Sequence, residues 1–258
     1  MSTPQSKKSI LLVESQNDRA FIAVLLLDLG IDAELDVIIE HLHNFEDESG
    51  QQRRGKESLE LKLKSFKREL EKKFPNVNRV GAILDFDYPP RWNFKQNIEL
   101  VNNAFGAAFD NKSTLFSKES ELIKVNDSLH AACFFNKDSS GYGNLDTLLL
   151  EIRKAPNKKV PYADCLELWR DCVNKPESES KLTVSDSTYS KIWLGNFLRA
   201  TAKEYLGKEG KSILNDFEDK QSEVIKGVGA IVFDLEHAAL KPLRDFLLLF
   251  KNTPNESI

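Results

Sequence analysis

The residues best suited to chemistry are acids at the ends of apolar runs. Residues 9–13 (SILLV) run straight into Glu14, and Asp18 follows four positions later. Residues 80–84 (VGAIL) run into Asp85-Phe86-Asp87. Side chains two apart on an extended chain point the same way, so Asp85 and Asp87 are expected side by side. Glu14 and Asp18 are one turn apart, from strand end to helix start, and are expected to face one crevice. Packed carboxylates repel each other and resist burial. A divalent cation relieves that repulsion. Oxygen-only ligands favour Mg²⁺, Mn²⁺ or Ca²⁺, and Mg²⁺ takes few carboxylates while keeping waters for a substrate phosphate. A plainer role exists for each acid: Asp-x-Asp as a cap or turn, and Glu14 as a partner for a helix dipole.

The elements that must carry these acids follow from the apolar pattern. Short continuous apolar runs suit strands buried on both faces of a parallel sheet. Strands are expected at 9–13, 33–39, 80–84, 113–116 and 131–135. Helices are expected at 19–29, stopped by Gly30, and at 56–74 and 93–109. Residues 41–55 lack an apolar period and read as a loop, and Gly141-Tyr142-Gly143 as a turn. Helices then dominate: 145–154, 162–173, 190–205, 223–227 and 240–250, with a polar linker at 174–187. The expected fold is α/β, a mostly parallel doubly wound sheet with flanking helices, over residues 1–145. Residues 146–258 are expected to form a helical elaboration packed on it. Sites in such sheets form beyond the carboxyl ends of the strands, where Glu14 and Asp85 stand.

Composition narrows the class. The chain has 258 residues, 41% hydrophobic and 29% charged, with a formal net charge of −4. That supports a packed core, but nucleic-acid binding would need a local basic patch or metal ions. Cys133, Cys165 and Cys172 form no C-x-x-C and read as buried free thiols of a reducing, cytoplasmic setting. No signal peptide or membrane span is expected. There is no G-x-x-x-x-G-K-[ST], so in an ATP-driven assembly the motor would be a separate ATPase subunit. No G-x-S-x-G elbow or triad order supports acyl transfer. His41 and His43 straddle Leu42, too small a set for a metal site unaided.

Basic residues suggest where nucleic acid would lie. Arg53 and Arg54 sit in the polar loop before the second helix. Arg91 and Trp92 follow the second acidic pair, a cation to hold phosphate and a ring to stack a base. Their plainer roles are a solvated surface and core packing.

LLVESQNDRAFI resembles the opening motif of Toprim domains, a buried strand ending in Glu with Asp four residues on. Leu84-Asp85-Phe86-Asp87 resembles the Asp-x-Asp motif of the same family. The resemblance covers roughly residues 9–135 and departs from pattern at Ser15, where glycine is usual. It implies Mg²⁺-assisted phosphodiester chemistry, with Mn²⁺ as substitute, at Glu14, Asp18, Asp85 and Asp87. GYGNLDTLLLEI is similar to a segment of OLD-type nucleases, which implies Asp146 as a second-metal ligand. Its alternative is a first-turn acid favoured by the helix dipole. Lys191, opening KIWLGNFLRA, would match the site lysine such nucleases use. The resemblance implies a metal-dependent nuclease acting on DNA or RNA, in a setting such as defence against mobile DNA. The rival expectation is a catalytically silent binding or regulatory protein, which Ser15 and the acidic balance favour.

Overall fold

The fold is described from a computed structural model, which covers residues 8–33, 35–42, 45–46, 50, 52–53, 55–73, 76–87, 93–110, 116–154, 161–174, 184–205 and 217–251. Its strands are β1 (Lys8–Val13), β2 (Val37–His41), β3 (Phe45–Glu46), β4 (Gln52–Arg53), β5 (Val77–Asp85), β6 (Ile123–Lys124) and β7 (His130–Asn136). Its helices are α1 (Gln16–Asp28), α2 (Leu59–Lys73), α3 (Phe94–Phe109), α4 (Leu145–Glu151), α5 (Pro161–Val173), α6 (Asp186–Tyr205), α7 (Phe217–Val232) and α8 (Lys241–Leu248). Short 3-10 turns span Gly55–Ser58 and Ala238–Leu240.

The fold is α/β. Five strands form one sheet in the order β2-β1-β5-β7-β6, parallel except for β6, and β3 and β4 pair separately as an antiparallel ribbon. The expected parallel pairing of β1 with β5 is present, with Val13 opposite Ile83. Continuous apolar runs form these strands because both sheet faces are covered. Alternation sorts their side chains: Ile10, Leu12, Val80, Ala82 and Leu84 join one core with α2 and α3. Leu11, Val13, Ile83 and Phe134 join the other with α1, α4, α6, α7 and α8. The C-terminal helices thus share a continuous core with one face of the sheet.

Several boundaries move for local reasons. The second strand begins at Val37 rather than at 33. The Asp32 carbonyl accepts from the Asp36 and Val37 N–H groups, and its carboxylate from Leu35, so the chain turns there before it can extend. Of the strand expected at 113–116, residues 113–115 lie outside the described residues. Phe116 instead has its backbone held by the Asn102 side chain of α3, at 2.7 and 2.9 Å. The antiparallel strand is β6, a two-residue edge. The expected 41–55 loop includes the β3–β4 ribbon, and the short helix expected at 223–227 is the longer α7. No described helix is long and apolar enough to cross a membrane.

Candidate functional site

The sheet order creates a switch point. From β1 the chain crosses to β2 on one side and returns to β5 on the other, which leaves a crevice beyond the carboxyl ends of β1 and β5. Glu14 follows β1 directly and Asp85 is the last residue of β5. The Asp85 N–H donates to Glu14 Oε1 at 2.8 Å, tying the two strand ends together. Ser15 then caps α1 with extended backbone, φ −134° and ψ 172°, and its side chain accepts from the Asp18 N–H. Asp18 accepts in return from the Ser15 N–H at 2.9 Å and from its hydroxyl. This capping box explains why a serine fits where the resembling family has glycine: no positive φ is needed. Asp18 is at once the capping acid and one of the residues lining the cavity.

Glu14, Asp18, Asp85 and Asp146 line one cavity of about 460 Å³. Gly55 and Leu145 form other parts of its wall, with Lys191 and Leu194 from α6 and Gln221 from α7. Gly55 has φ +52°, and a Cβ there would lie 2.9 Å from Glu14 Oε2, so glycine lets the backbone approach the carboxylate. Asp146 lies in the first turn of α4, whose N-terminus favours an acid. The neighbouring Leu145 N–H donates to Asp85 Oδ1 at 3.1 Å.

Burial dominates the electrostatics. It pushes the Glu14 carboxyl up to about 7, helped by the neighbouring Asp18 and Asp87 charges and opposed by the Asp85 N–H and by Lys56. Burial also raises Asp18 to about 6, with Asp146 adding to the effect and the Ser15 hydrogen bonds opposing it. Asp85 is held well above its ordinary range by burial and by Glu14, Asp18 and Asp146. Asp146 is raised by burial and drawn partly back by the Lys191 ammonium.

The acids therefore retain protons in the folded chain that the unfolded chain has already released. That stabilisation is complete below pH ~4 and is lost as pH rises toward 7. In EDTA, urea unfolding is expected to give a stability lower at pH 8 than at pH 5, by at least about 1 kcal/mol, the equivalent of one pKa unit. A stability that instead rises over this interval would contradict the raised carboxyls.

Asp87 departs from the expected arrangement. It stands beyond the end of β5 in the left-handed region, φ +66°, and its backbone bridges Gly143 at 2.7 and 3.3 Å. Alternation stops there, so Asp87 does not lie beside Asp85 on the cavity wall. Its carboxylate pairs with Lys56 Nζ at 2.6 Å. Lys191 does line the cavity. Arg53 lies on β4 beside a different hollow of about 430 Å³, with Lys56, Glu57 and Gln96. Arg54, Arg91, Trp92 and His43 lie outside the described residues. His41 is in β2, paired with Val13.

The sequence reading missed two residues. Lys56, in the turn before α2, is 5% exposed and also donates to the Asp85 carbonyl at 3.0 Å and to Asn97 Oδ1 at 3.1 Å. Its sequence signal was hidden in a basic stretch that reads as solvated loop. Asn136 ends β7 and is 1% exposed. Its side-chain amide donates to Asp18 Oδ1 at 3.2 Å and to Asp85 Oδ1 at 3.3 Å. The rule that singled out Glu14 and Asp85, a polar residue at a parallel strand's carboxyl end, would have found it.

Among the described residues, no three carboxylate, imidazole or thiol groups form a ready-made metal cage. The donor set nevertheless fits a hard cation that keeps its own waters. Such ions need only one or two carboxylates, and Glu14, Asp18, Asp85 and Asp146 share one cavity. Asn136 Oδ1 is buried and has no hydrogen-bond partner among the described residues, while its amide N–H group faces Asp18 and Asp85.

No curated protein and no solved structure matches the chain. A family described as "Protein of unknown function (DUF3226)" matches residues 8–246. With nearly the whole chain matched, from β1 into α8, the protein belongs to the DUF3226 family.

Proposed function

We propose that the protein is a Toprim-like, Mg²⁺-dependent nuclease whose acidic cavity acts on the phosphodiester bonds of DNA or RNA. The observation that carries this reading is the gathering of Glu14, Asp18, Asp85 and Asp146 in one cavity at the strand switch point. Acids that burial keeps partly protonated are poorly matched to water and well matched to a divalent cation. Glu14, Asp18 and Asp85 would hold Mg²⁺, or Mn²⁺ in its place, with Asp146 in support. When bound, the ion would offset phosphate charge and make a water more acidic. Glu14, with its carboxyl near 7, is suited to hold or release a proton at neutral pH. Lys191, which lines the same cavity, would offset charge on a phosphate oxygen. Arg53, Arg54, Arg91 and Trp92 would bind the rest of the strand. A role in defence against mobile DNA, with a separate ATPase subunit, fits the same resemblance.

The test is incubation of the pure protein with plasmid, single-stranded DNA and RNA, in Mg²⁺ or Mn²⁺ against EDTA. Metal-dependent cleavage of any of these is expected, and no cleavage in either ion would remove the nuclease reading. Independently, millimolar Mg²⁺ or Mn²⁺ is expected to raise the melting temperature, because a ligand of the folded state alone stabilises it by mass action. Cations compete with the retained protons, so the rise should be larger at pH 8 than at pH 5. Melts insensitive to both ions at pH 8 would count against a metal site.

One observation favours a silent binding protein instead. Lys56 is an internal cation that already compensates part of the acidic cluster. On that reading the acids and Lys56 serve folding, and neither cleavage nor a metal-dependent melt appears.

A further inference from the structure

We propose that the acidic site takes one divalent cation per chain, and that the Lys56 ammonium stands at Asp87 in the place a second cation would occupy. The inference rests on the metal-site reading above and deepens it.

The acids differ in what already holds them. Glu14 and Asp85 are joined at the strand ends through the Asp85 N–H, and Asp18 is joined to Asp85 through the Asn136 amide. The buried Asn136 Oδ1 has no hydrogen-bond partner among the described residues. Leaving such an oxygen unsatisfied is costly unless something else binds it. Its amide N–H group lies between two acids of the cavity and holds them in place. This side of the site has the donor types a Mg²⁺-like ion accepts.

Asp87, whose charge still acts on Glu14, is the acid that an ammonium already meets. The Lys56 side chain is 6% exposed and meets the Asp87 carboxylate at 2.6 Å. It also donates to the Asp85 carbonyl and to Asn97 Oδ1, so the ammonium is held by several acceptors at once. Asn97 is itself fully buried and donates to the Phe86 carbonyl at 3.1 Å, so the acceptor on α3 is held in place. A divalent cation at Asp87 would have to displace this ammonium from these contacts. Asp146 is no better placed for a second ion, because Lys191 lines the same cavity and its charge acts on Asp146. Glu14, Asp18 and Asp85 are thus left to a divalent ion, and Asp87 keeps a cation built into the chain.

The test is the number of Mn²⁺ ions bound per chain, measured by equilibrium dialysis or by the loss of the free-ion paramagnetic signal at pH 8. Wild type is expected to bind one. Asp87→Asn is expected still to bind one, with affinity changed less than about threefold. Lys56→Met exposes Asp87 to a second ion, so two are expected, and Lys56→Met combined with Asp87→Asn is expected to return to one. If Lys56→Met fails to fold, the wild-type and Asp87→Asn measurements still decide. Two ions on wild type, or loss of the single ion in Asp87→Asn, would overturn the inference while leaving a metal site standing. No ion on wild type would remove both the inference and the metal-site reading.

Discussion

Glu14→Gln is expected to slow single-turnover cleavage by at least ~10²-fold, the usual scale for losing acid–base help. The change keeps an oxygen that can accept from the Asp85 N–H, so the tie between β1 and β5 survives. What disappears is a negative charge that would hold the cation, or a proton that would move at the phosphate. The same substitution removes a buried acid that repels Asp18 and Asp87. Its melting temperature in EDTA at pH 8 is therefore expected to match or exceed that of wild type. Slower chemistry in a chain no less stable separates a site role from a structural one. Asp85→Asn should behave alike, since an amide oxygen can still accept from the Leu145 N–H. The double variant should lose little more than either alone, because groups acting as one unit are not additive. If Glu14→Gln cuts as fast as wild type, cleavage does not arise at this cavity and the binding-protein reading takes its place.

Phe246→Ala is expected to cost about 3–5 kcal/mol of stability, the range for removing a buried aromatic ring. Phe246 is fully buried in α8 and its ring lies 5.4 Å from that of Phe134 on β7 and 5.2 Å from that of Phe250. The helix end fits closely against the sheet: a Cβ at Gly81 on β5 would come within 2.6 Å of the Phe250 ring. Little space exists for neighbours to fill, so the cavity left by the ring should largely persist. That loss is a large share of the ~5–15 kcal/mol by which domains are stable. Leu248→Ala, at an exposed position of the same helix, should change stability by no more than about 0.5 kcal/mol. Urea midpoints for both variants are the measurement. A Phe246→Ala cost under 1 kcal/mol would mean that α8 contributes little to covering this face of the sheet.

The legibility of each part of the site followed the range of the interaction behind it. The runs 9–13 and 80–84 announced buried parallel strands because every residue in them must be apolar when both faces are covered. Glu14 and Asp85 could then be assigned to strand ends from their neighbours alone. Asn93 caps α3 and Asn144 caps α4, again through contacts three residues away. Where a local hydrogen bond interrupted the apolar pattern, as at Asp32, the expected strand began too early.

Asp87 marks the limit of such reasoning. Spacing alone put it beside Asp85, but its backbone is held by Gly143, from a turn that the sequence places far away. Lys56 sits in a charged stretch where most lysines are solvated, and only the meeting of its turn with the ends of β5 and α3 buries it. Asn136 becomes a bridge between acids only once β7 lies next to β5. By itself the sequence determined which acids end which strands, because local apolar runs and capping patterns encode burial and direction within a few residues. Tertiary structure alone decided which of those acids share a cavity, which one is matched by a lysine, and which helices complete the cavity wall. Those outcomes depend on strand order and on electrostatic contacts between segments remote in sequence, and no local pattern carries them.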